Sequence, residues 1–411
     1  MSEQDIIVGI DIGTTKICVV VAEIGQFNEI KVLAVGTSPS EGLRRGVVIN
    51  LDKTVQSIEK AVEEAELIAG VDIHSAYAGI AGDHIRSLNS RGIVAVAGDN
   101  GITQADIQRA IDAAKAISLP MDREIVHILP QEFILDDQSG IRDPIGMSGV
   151  RLEVEAHIVT GAVTSAQNIY KSVERAGLEV KDLVLEPLAS SHAVLGDDER
   201  ELGVGLIDIG GGTTDLAIFY DGSIRHTGVI GLGGKFVTSD IAHGLRTPLE
   251  QAENIKLEHG CCHIDCINQD EEFVVPGVGG REPRRVSRTI LTRIIQPRME
   301  EIFRLTLNEL KRSDYIDLLT SGIVLTGGAS LIDGAAELAE SVFDMPARIG
   351  IPDGFTGLVD KVKNPMYATA VGLVQYGEQN RATSKYFRGG DDTKLYNKIH
   401  SRMKQWFAEF F

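Results

Sequence analysis

Short apolar runs broken by glycine set the rhythm of the first 35 residues: Ile6-Ile7-Val8, then Ile17 to Val21, then Ile30 to Val35. Runs of this length between glycine turns predict a β-meander. From residue 51 to 69 the period lengthens. Val55, Ile58, Val62, Ala65 and Ile68 recur at helical spacing and predict one buried helix face. Ser75 to Ile80 reads as the next strand. Residues 83–159 change character. A strand from Gly92 to Ala97 leads to Thr103, a good N-cap for a helix around Ala105–Ala116. Strand-like stretches follow at Arg123–Pro130 and Val150–Thr160, so a compact α+β insertion is expected here. Helices are expected at 164–177 and 188–196, with the strand Leu183-Val184-Leu185 between them.

The meander pattern then starts again at residue 204. Helices are expected at 235–245 and Leu249–His259, and residues 260–285, rich in Gly and Pro, read as loop or hairpin. A long helix over about 286–312, bent at Pro297, precedes the buried-type strand Ile323-Val324-Leu325 and a further helix. Tyr367 to Tyr376 reads as the last core helix. Residues 377–393 have almost no apolar period and read as a tether.

The two meanders carry nearly the same turn. Gly9-Ile10-Asp11-Ile12-Gly13-Thr14-Thr15-Lys16 is matched by Ile207-Asp208-Ile209-Gly210-Gly211-Gly212-Thr213-Thr214. Each is an apolar strand, an Asp, and a glycine turn with hydroxyls, so the chain consists of two related halves. The glycines permit close backbone approach, and the exposed N–H groups of such turns make nests for phosphate oxygens. Two facing turns would grip a nucleoside triphosphate. Asp11 and Asp208 suit the water shell of Mg2+, which takes few protein carboxylates. Lys16, just past the first turn, is placed to reach a phosphate. Gly327-Gly328-Ala329 forms a third turn after a buried strand, suited to the purine or α-phosphate, and Gly233-Gly234 opens the second half's helices. Glu253 and Lys256 lie one helical turn apart and are placed to face a ribose. One such turn alone would be an ordinary hairpin, and Glu253 with Lys256 alone a solvated ion pair. Their joint occurrence in this order makes the case.

Composition narrows the class. The 411 residues carry a formal net charge of −19, which argues against a nucleic-acid binder. Four cysteines and no secretory leader lead to the expectation of a reducing cytoplasm. No apolar run approaches the ~18–20 residues that span a bilayer. Cys261, Cys262, His263, Cys266 and His259 crowd one loop without a C-x-x-C spacing, so reduced thiols are expected rather than zinc.

The segments 9–17, 183–190, 205–216, 323–334 and 364–373 resemble the phosphate, connecting and adenosine motifs of the actin/Hsp70/hexokinase superfamily. Within it the whole chain resembles the FtsA family, the bacterial cell-division actin homologues. The most specific segments are Gly42–Gly46, Leu129-Pro130-Gln131-Glu132, Val204–Leu216, Thr238–Ala242, Val278-Gly279-Gly280-Arg281, Ile323–Ala329 and Thr369–Leu373. The resemblance implies a duplicated actin-like (ribonuclease H-like) α/β fold with two lobes around a nucleotide cleft. The expected parts are a first core subdomain (1–82 with 160–200 and 363–380), the inserted α+β subdomain (83–159) and a second core subdomain (201–230 with 318–362). An upper subdomain (231–317), a flexible linker (381–393) and a membrane-targeting helix (394–411) complete the chain. The cofactors implied are ATP and Mg2+, and the activity at most a slow ATPase. Glu186, after the connecting strand, would position the attacking water, and Thr213 and Thr214 would help to hold the water or the γ-phosphate.

The tail reads independently of the resemblance. At 100° per residue Leu395, Ile399, Met403, Trp406, Phe407 and Phe410 fall on one arc, flanked by Lys394, Lys398 and Arg402. A bulky aromatic face with basic flanks suits an anionic lipid surface. The resemblance adds partners: the C-terminal peptide of FtsZ, other copies of this chain in filaments, and further division proteins. It places the protein peripherally on the cytoplasmic side of the inner membrane, at the division septum. The FtsZ surface would lie within about 231–317, where Arg288, Arg293 and Arg298, with Arg284 and Arg285, offer a basic face to an acidic peptide. The rival readings are a PilM-like pilus assembly protein and a small-molecule kinase of the same superfamily, and neither accounts for the tail.

Overall fold

The computed structural model describes residues 6–96, 101–267, 271–277 and 282–387. The 278–281 motif and the tail residues Leu395, Ile399, Met403, Trp406, Phe407 and Phe410 lie outside the described residues.

Two sheets repeat one plan. In the first, Ile6–Ile12, Lys16–Ile24 and Ile30–Pro39 form an antiparallel meander. Ser75–Ile80 and Glu179–Leu185 then add in parallel on the other side of Ile6–Ile12. In the second, Val204–Ile209, Thr214–Tyr220 and Ser223–Ile230 make the meander, and Ile323–Thr326 and Ala347–Ile349 add in parallel. The hairpins agree residue for residue: Asp11 lies opposite Cys18, and Asp208 lies opposite Asp215. Both turns are therefore of equal length. Strands buried on both faces require near-continuous apolar sequence, and Val204–Ile209 is buried at every position.

The halves differ in where they are interrupted. In the second half the upper helices, Gly234–Leu245 to Arg288–Leu310, follow the third strand. In the first half that position holds only a short hairpin and the helix Leu51–Ala69, and the insertion follows the fourth strand instead. Leu51–Ala69 begins where the Asn50 side chain accepts from Lys53 N at 3.0 Å and ends at Gly70, with φ 67°. Val55, Ile58, Val62 and Ala65 are buried as the periodicity requires, whereas Ile68 is exposed in the last turn.

The insertion is a four-stranded antiparallel sheet, in the order Arg86–Ala95, Arg151–Ala162, Arg123–Leu135, Gln138–Ile141, covered by the helix Gln104–Lys115. Thr103 caps that helix in a capping box with Asp106. The strand expected to stop at Pro130 continues to Leu135. A bulge absorbs the proline, for Ala156 pairs with Pro130 and Glu155 with Glu132. The skipped residue, Gln131, donates to the carbonyl of Ile224 at 2.9 Å in the other half of the chain. His157 and Ser87 add bonds from the insertion to Thr227 of the same strand. The insertion thus grows from the first lobe and docks on the second.

Two boundaries move. The long helix spans Arg288–Leu310 through Pro297, because Arg284–Ser287 is committed to a hairpin with Glu272–Val275. The last helix spans Ala368–Phe387, past the expected end at Tyr376 and into the expected tether. Missing apolar periodicity signals that a segment is unpacked; it does not forbid a helix built from residues such as Glu, Gln, Arg and Ala.

Candidate functional site

Both glycine turns end at the same place. A Cβ on Gly211 would lie 1.8 Å from Thr15 Oγ1, and one on Gly212 would lie 2.7 Å from Thr14 Oγ1. The turns Gly13–Lys16 and Gly210–Thr213 therefore meet face to face, and glycine is required because backbone touches side chain there. Gly46 N donates to Thr14 Oγ1 at 3.1 Å, which ties the 42–46 segment to the first turn.

Behind the turns four carboxylates converge. Asp11, Asp208 and Asp215 are buried and Glu186 is partly covered. Burial pushes Asp11 up to about 6, with Lys16 opposing and Asp208 adding. Burial first, and then Asp208, push Asp215 up to about 8. Glu186 is raised well above the usual carboxylate range by burial of its carboxylate and by Asp11, Asp215 and Asp208. Asp208 is raised by burial, though hydrogen bonds to its Oδ2 from Ser190 (2.6 Å) and Thr369 (3.3 Å) resist the shift. Asp215 Oδ2 accepts from Thr213 Oγ1 at 2.9 Å, while its Oδ1 is buried without a partner among the described residues. A cluster of desolvated carboxylates with an orphaned oxygen is the donor set a hard dication satisfies. Among the described residues no three His, Cys, Asp or Glu side chains group closely enough to hold a metal directly. Contact through a water shell is what this arrangement fits, and Mg2+ keeps most of its waters.

Three further elements pack around the second turn. Gly233 opens into the helix Gly234–Leu245, whose Gly234 N donates to Gly210 O at 2.9 Å. Glu253 accepts from Lys256 Nζ at 2.8 Å and from Thr238 Oγ1. Lys256 Nζ lies 3.0 Å from Thr238 Oγ1 and 3.4 Å from Gly234 O. Gly327 has φ 82°, and a Cβ on it would lie 2.3 Å from Asp208 Oδ1. Ala329 abuts Gly234, where an added Cβ would sit 3.2 Å from it. Gly328 faces Met366. Asp11, Gly13, Thr14, Thr15, Asp208, Gly210, Gly211, Gly212, Thr213, Gly233, Gly234, Glu253, Lys256, Gly327, Gly328 and Ala329 thus belong to one neighbourhood.

Four expected residues are placed differently. Lys16 Nζ donates to the carbonyl of Met366 at 2.5 Å and sits 4.1 Å above the Tyr367 ring, so the backbone of the last helix's lead-in holds it. The Thr214 hydroxyl donates to Leu232 O at 2.9 Å and fastens the loop rather than facing the carboxylates. Arg288 is bound to His259 O (2.9 Å), Glu271 (3.0 Å) and Asp333 (2.5 Å). Arg298 is bound to Asp240 at 2.6 Å and to Glu301. Of the three arginines expected to make the face, Arg288, Arg293 and Arg298, only Arg293 is exposed, and the other two are neutralised within the chain. Arg284 and Arg285 lie on the preceding strand, not on the helix. The residues at the carboxylate cluster that sequence reasoning missed are Asp215, Ser190 and Thr369. Asp215 and Thr369 stood inside quoted motifs, and the hairpin register was the signal available for Asp215.

Comparison with known proteins accords with this geometry. Residues 205–372 match the family described as FtsA, cell division protein FtsA, and residues 82–160 match the SHS2 domain inserted in FtsA. The chain is 52% identical over 406 residues to the cell division protein FtsA of Pseudomonas aeruginosa, covering 97% of each chain. It is 45% identical to that of Neisseria meningitidis, covering 100% of this chain and 99% of the relative. Among solved structures, the PilM-PilN type IV pilus biogenesis complex aligns with a TM-score of 0.66 at 17% identity, covering 90% of this chain and 98% of that one. MreB5 of Spiroplasma citri bound to ADP aligns at 0.56 and 14% identity, covering 94% and 99%. The MamK double helical filament aligns at 0.51 and 14% identity, covering 91% and 98%. The structural likenesses establish the actin-like fold, and the full-length identities decide between its branches: this chain belongs to the FtsA family of cell division proteins.

Proposed function

We propose that this chain binds ATP with Mg2+ between its lobes, assembles with copies of itself on the cytoplasmic face of the inner membrane at the septum, and tethers FtsZ there through that protein's C-terminal peptide. The observation that carries the nucleotide reading is the convergence of two equal glycine turns on three buried carboxylates, Asp11, Asp208 and Asp215, with Glu186 beside them. In this reading backbone N–H groups of Gly13–Thr15 and Gly210–Thr213 receive phosphate oxygens. Asp11, Asp208 and Asp215 hold the water shell of Mg2+, which when bound neutralises them and the phosphates. Ser190 and Thr369 fix the rotamer of Asp208. Glu186 and Thr213 flank the position of an attacking water, which Glu186 orients. Glu253, Lys256 and the Gly327–Ala329 turn enclose the nucleoside. The ADP bound by the MreB5 neighbour and the filament of the MamK neighbour support the nucleotide and assembly parts. Asp208→Ala is expected to abolish binding in a fluorescent-nucleotide titration, and unchanged affinity would refute the site.

Attachment rests on the sequence of residues 394–411. No helix among the described residues is long and apolar enough to cross a membrane. The aromatic arc with basic flanks supports a peripheral anchor, weak singly and strong when filaments present many copies. Trp406→Glu and Phe407→Glu are each expected to leave the protein in the supernatant when anionic vesicles are sedimented. If both variants pellet as the wild type does, the tail is not the anchor.

A further inference from the structure

Lys235 occupies a position that the proposed phosphate site lacks a cation for. It is in the first turn of the helix Gly234–Leu245, and its N–H donates to Gly211 O at 2.9 Å, on the tip of the second glycine turn. Its side chain crosses the cleft, and Nζ donates to the carbonyl of Thr14, on the first turn, at 2.7 Å. The backbone and the ammonium of one residue thus bridge both turns.

The other cations near the site are engaged. Lys16 donates to Met366 O, lies over the Tyr367 ring and has its charge opposed by Asp11 and Asp208. Lys256 is paired with Glu253. The Arg45 guanidinium lies over the Phe236 ring, 5.5 Å from its centre. Lys235 makes no ion pair among the described residues, and its hydrogen-bond acceptor is a neutral carbonyl. Burial shifts its ammonium downward, with Glu253 opposing and Lys256 adding. A partly desolvated ammonium held by a carbonyl exchanges that partner favourably for an anionic oxygen, since charge-assisted bonds are roughly twice as strong. The carboxylates Asp11, Glu186, Asp208 and Asp215 repel a polyphosphate, so a protein cation on the turn side has a defined electrostatic task.

We propose that Lys235, rather than Lys16, is the cation that binds the terminal phosphates of the nucleotide, exchanging the Thr14 carbonyl for a phosphate oxygen and linking the two lobes through the ligand. The inference rests on the nucleotide reading above. Its role follows from its place on the turns: Nζ sits on Thr14 O of the first and the backbone N–H on Gly211 O of the second, where the nests for the terminal phosphates would lie.

The test is a set of titrations of the full-length protein at fixed Mg2+ with ATP, ADP and AMP. Wild type, Lys235→Ala, Lys235→Gln, Lys235→Arg and, as control, Asp208→Ala would be compared. Lys235→Ala and Lys235→Gln are expected to weaken ATP and ADP about 10- to 100-fold, the loss of one hydrogen bond to a charged group, and to leave AMP within about twofold. Lys235→Arg is expected to recover most of the ATP affinity. Should ATP binding survive in both neutral variants while Asp208→Ala abolishes it, the site stands and the role of Lys235 falls. An equal loss for ATP and AMP would also overturn it, because that is the pattern of a structural residue. If wild type binds none of the three nucleotides, the underlying reading fails and takes this one with it. A neutral variant with an unchanged thermal midpoint supplies the comparison if the other is poorly folded.

Discussion

Gly372→Val will lower the unfolding free energy by about 3 kcal/mol or more and remove nucleotide binding along with it. Gly372 lies where the helix Ala368–Phe387 crosses the helix Glu186–Val194. A Cβ placed there would stand 1.8 Å from Ala189 O and 2.4 Å from Ala189 C. The obstacle is helix backbone, which cannot rotate away, so relief requires the two helices to separate. Inserting even small groups into packed sites typically destabilises by about 1–3 kcal/mol, and a β-branched group against a carbonyl belongs above that range. The functional loss has the same cause. Ser190 and Thr369 sit in this crossing, 3.1 Å apart, and both donate to Asp208 Oδ2. Spreading the helices takes away the partners that fix Asp208. A urea titration with a parallel nucleotide titration measures both effects. The control is Gly177→Ala, at φ 86° with open space around it, where only the backbone penalty of about 1 kcal/mol applies. If Gly372→Val and the control shift the midpoint equally, the crossing does not frame the site.

The sequence was most legible where one local pattern decides structure. The helix Leu51–Ala69 and the strand Ser75–Ile80 fall where periodicity placed them, because each has one periodic apolar face and clear capping or turn residues. The paired Asp-glycine turns were legible because a duplicated motif restricts the geometry twice. What escaped depends on pairing at a distance. Asp215 looks like an ordinary strand residue until the hairpin sets it opposite Asp208, where the first half carries Cys18. Lys16 follows its turn closely, yet its ammonium is drawn to Met366 O, 350 residues away. Arg288 and Arg298 read as a basic face because their neutralising partners, Asp333 and Asp240, come from other elements. The bulge at Pro130 follows a simpler rule: proline ends a ladder only if the strand cannot shift register around it.

Asp215→Asn will make the nucleotide-free protein more stable at pH 8 while weakening its response to Mg2+ and ATP. Asp215 is raised to about 8 in the folded chain against a value of 3.8 in the absence of these surroundings. Between those values the folded state holds a proton that the unfolded state releases. Folding is therefore increasingly disfavoured as pH rises through this window, and the penalty levels off above pH 8. Asp11, raised to about 6, adds the same sign over a lower window. At about 1.4 kcal/mol per unit, the contribution of Asp215 at pH 8 is on the order of a few kcal/mol. Asparagine is neutral throughout, can still accept from the Thr213 hydroxyl, and brings a donor near the carboxylates of Asp208 and Asp11. The advantage of the variant in thermal midpoint should accordingly be small at pH 5 and grow steadily to pH 8. Wild type should gain more than the variant when Mg2+ and ATP are added at pH 8, because the charge that destabilises the empty site is the charge a dication requires. Parallel pH profiles for the two proteins would mean that Asp215 does not carry this penalty. A variant less stable than wild type at pH 8 would mean that its carboxylate is already compensated within the chain, and the case for a cation beside it would fail.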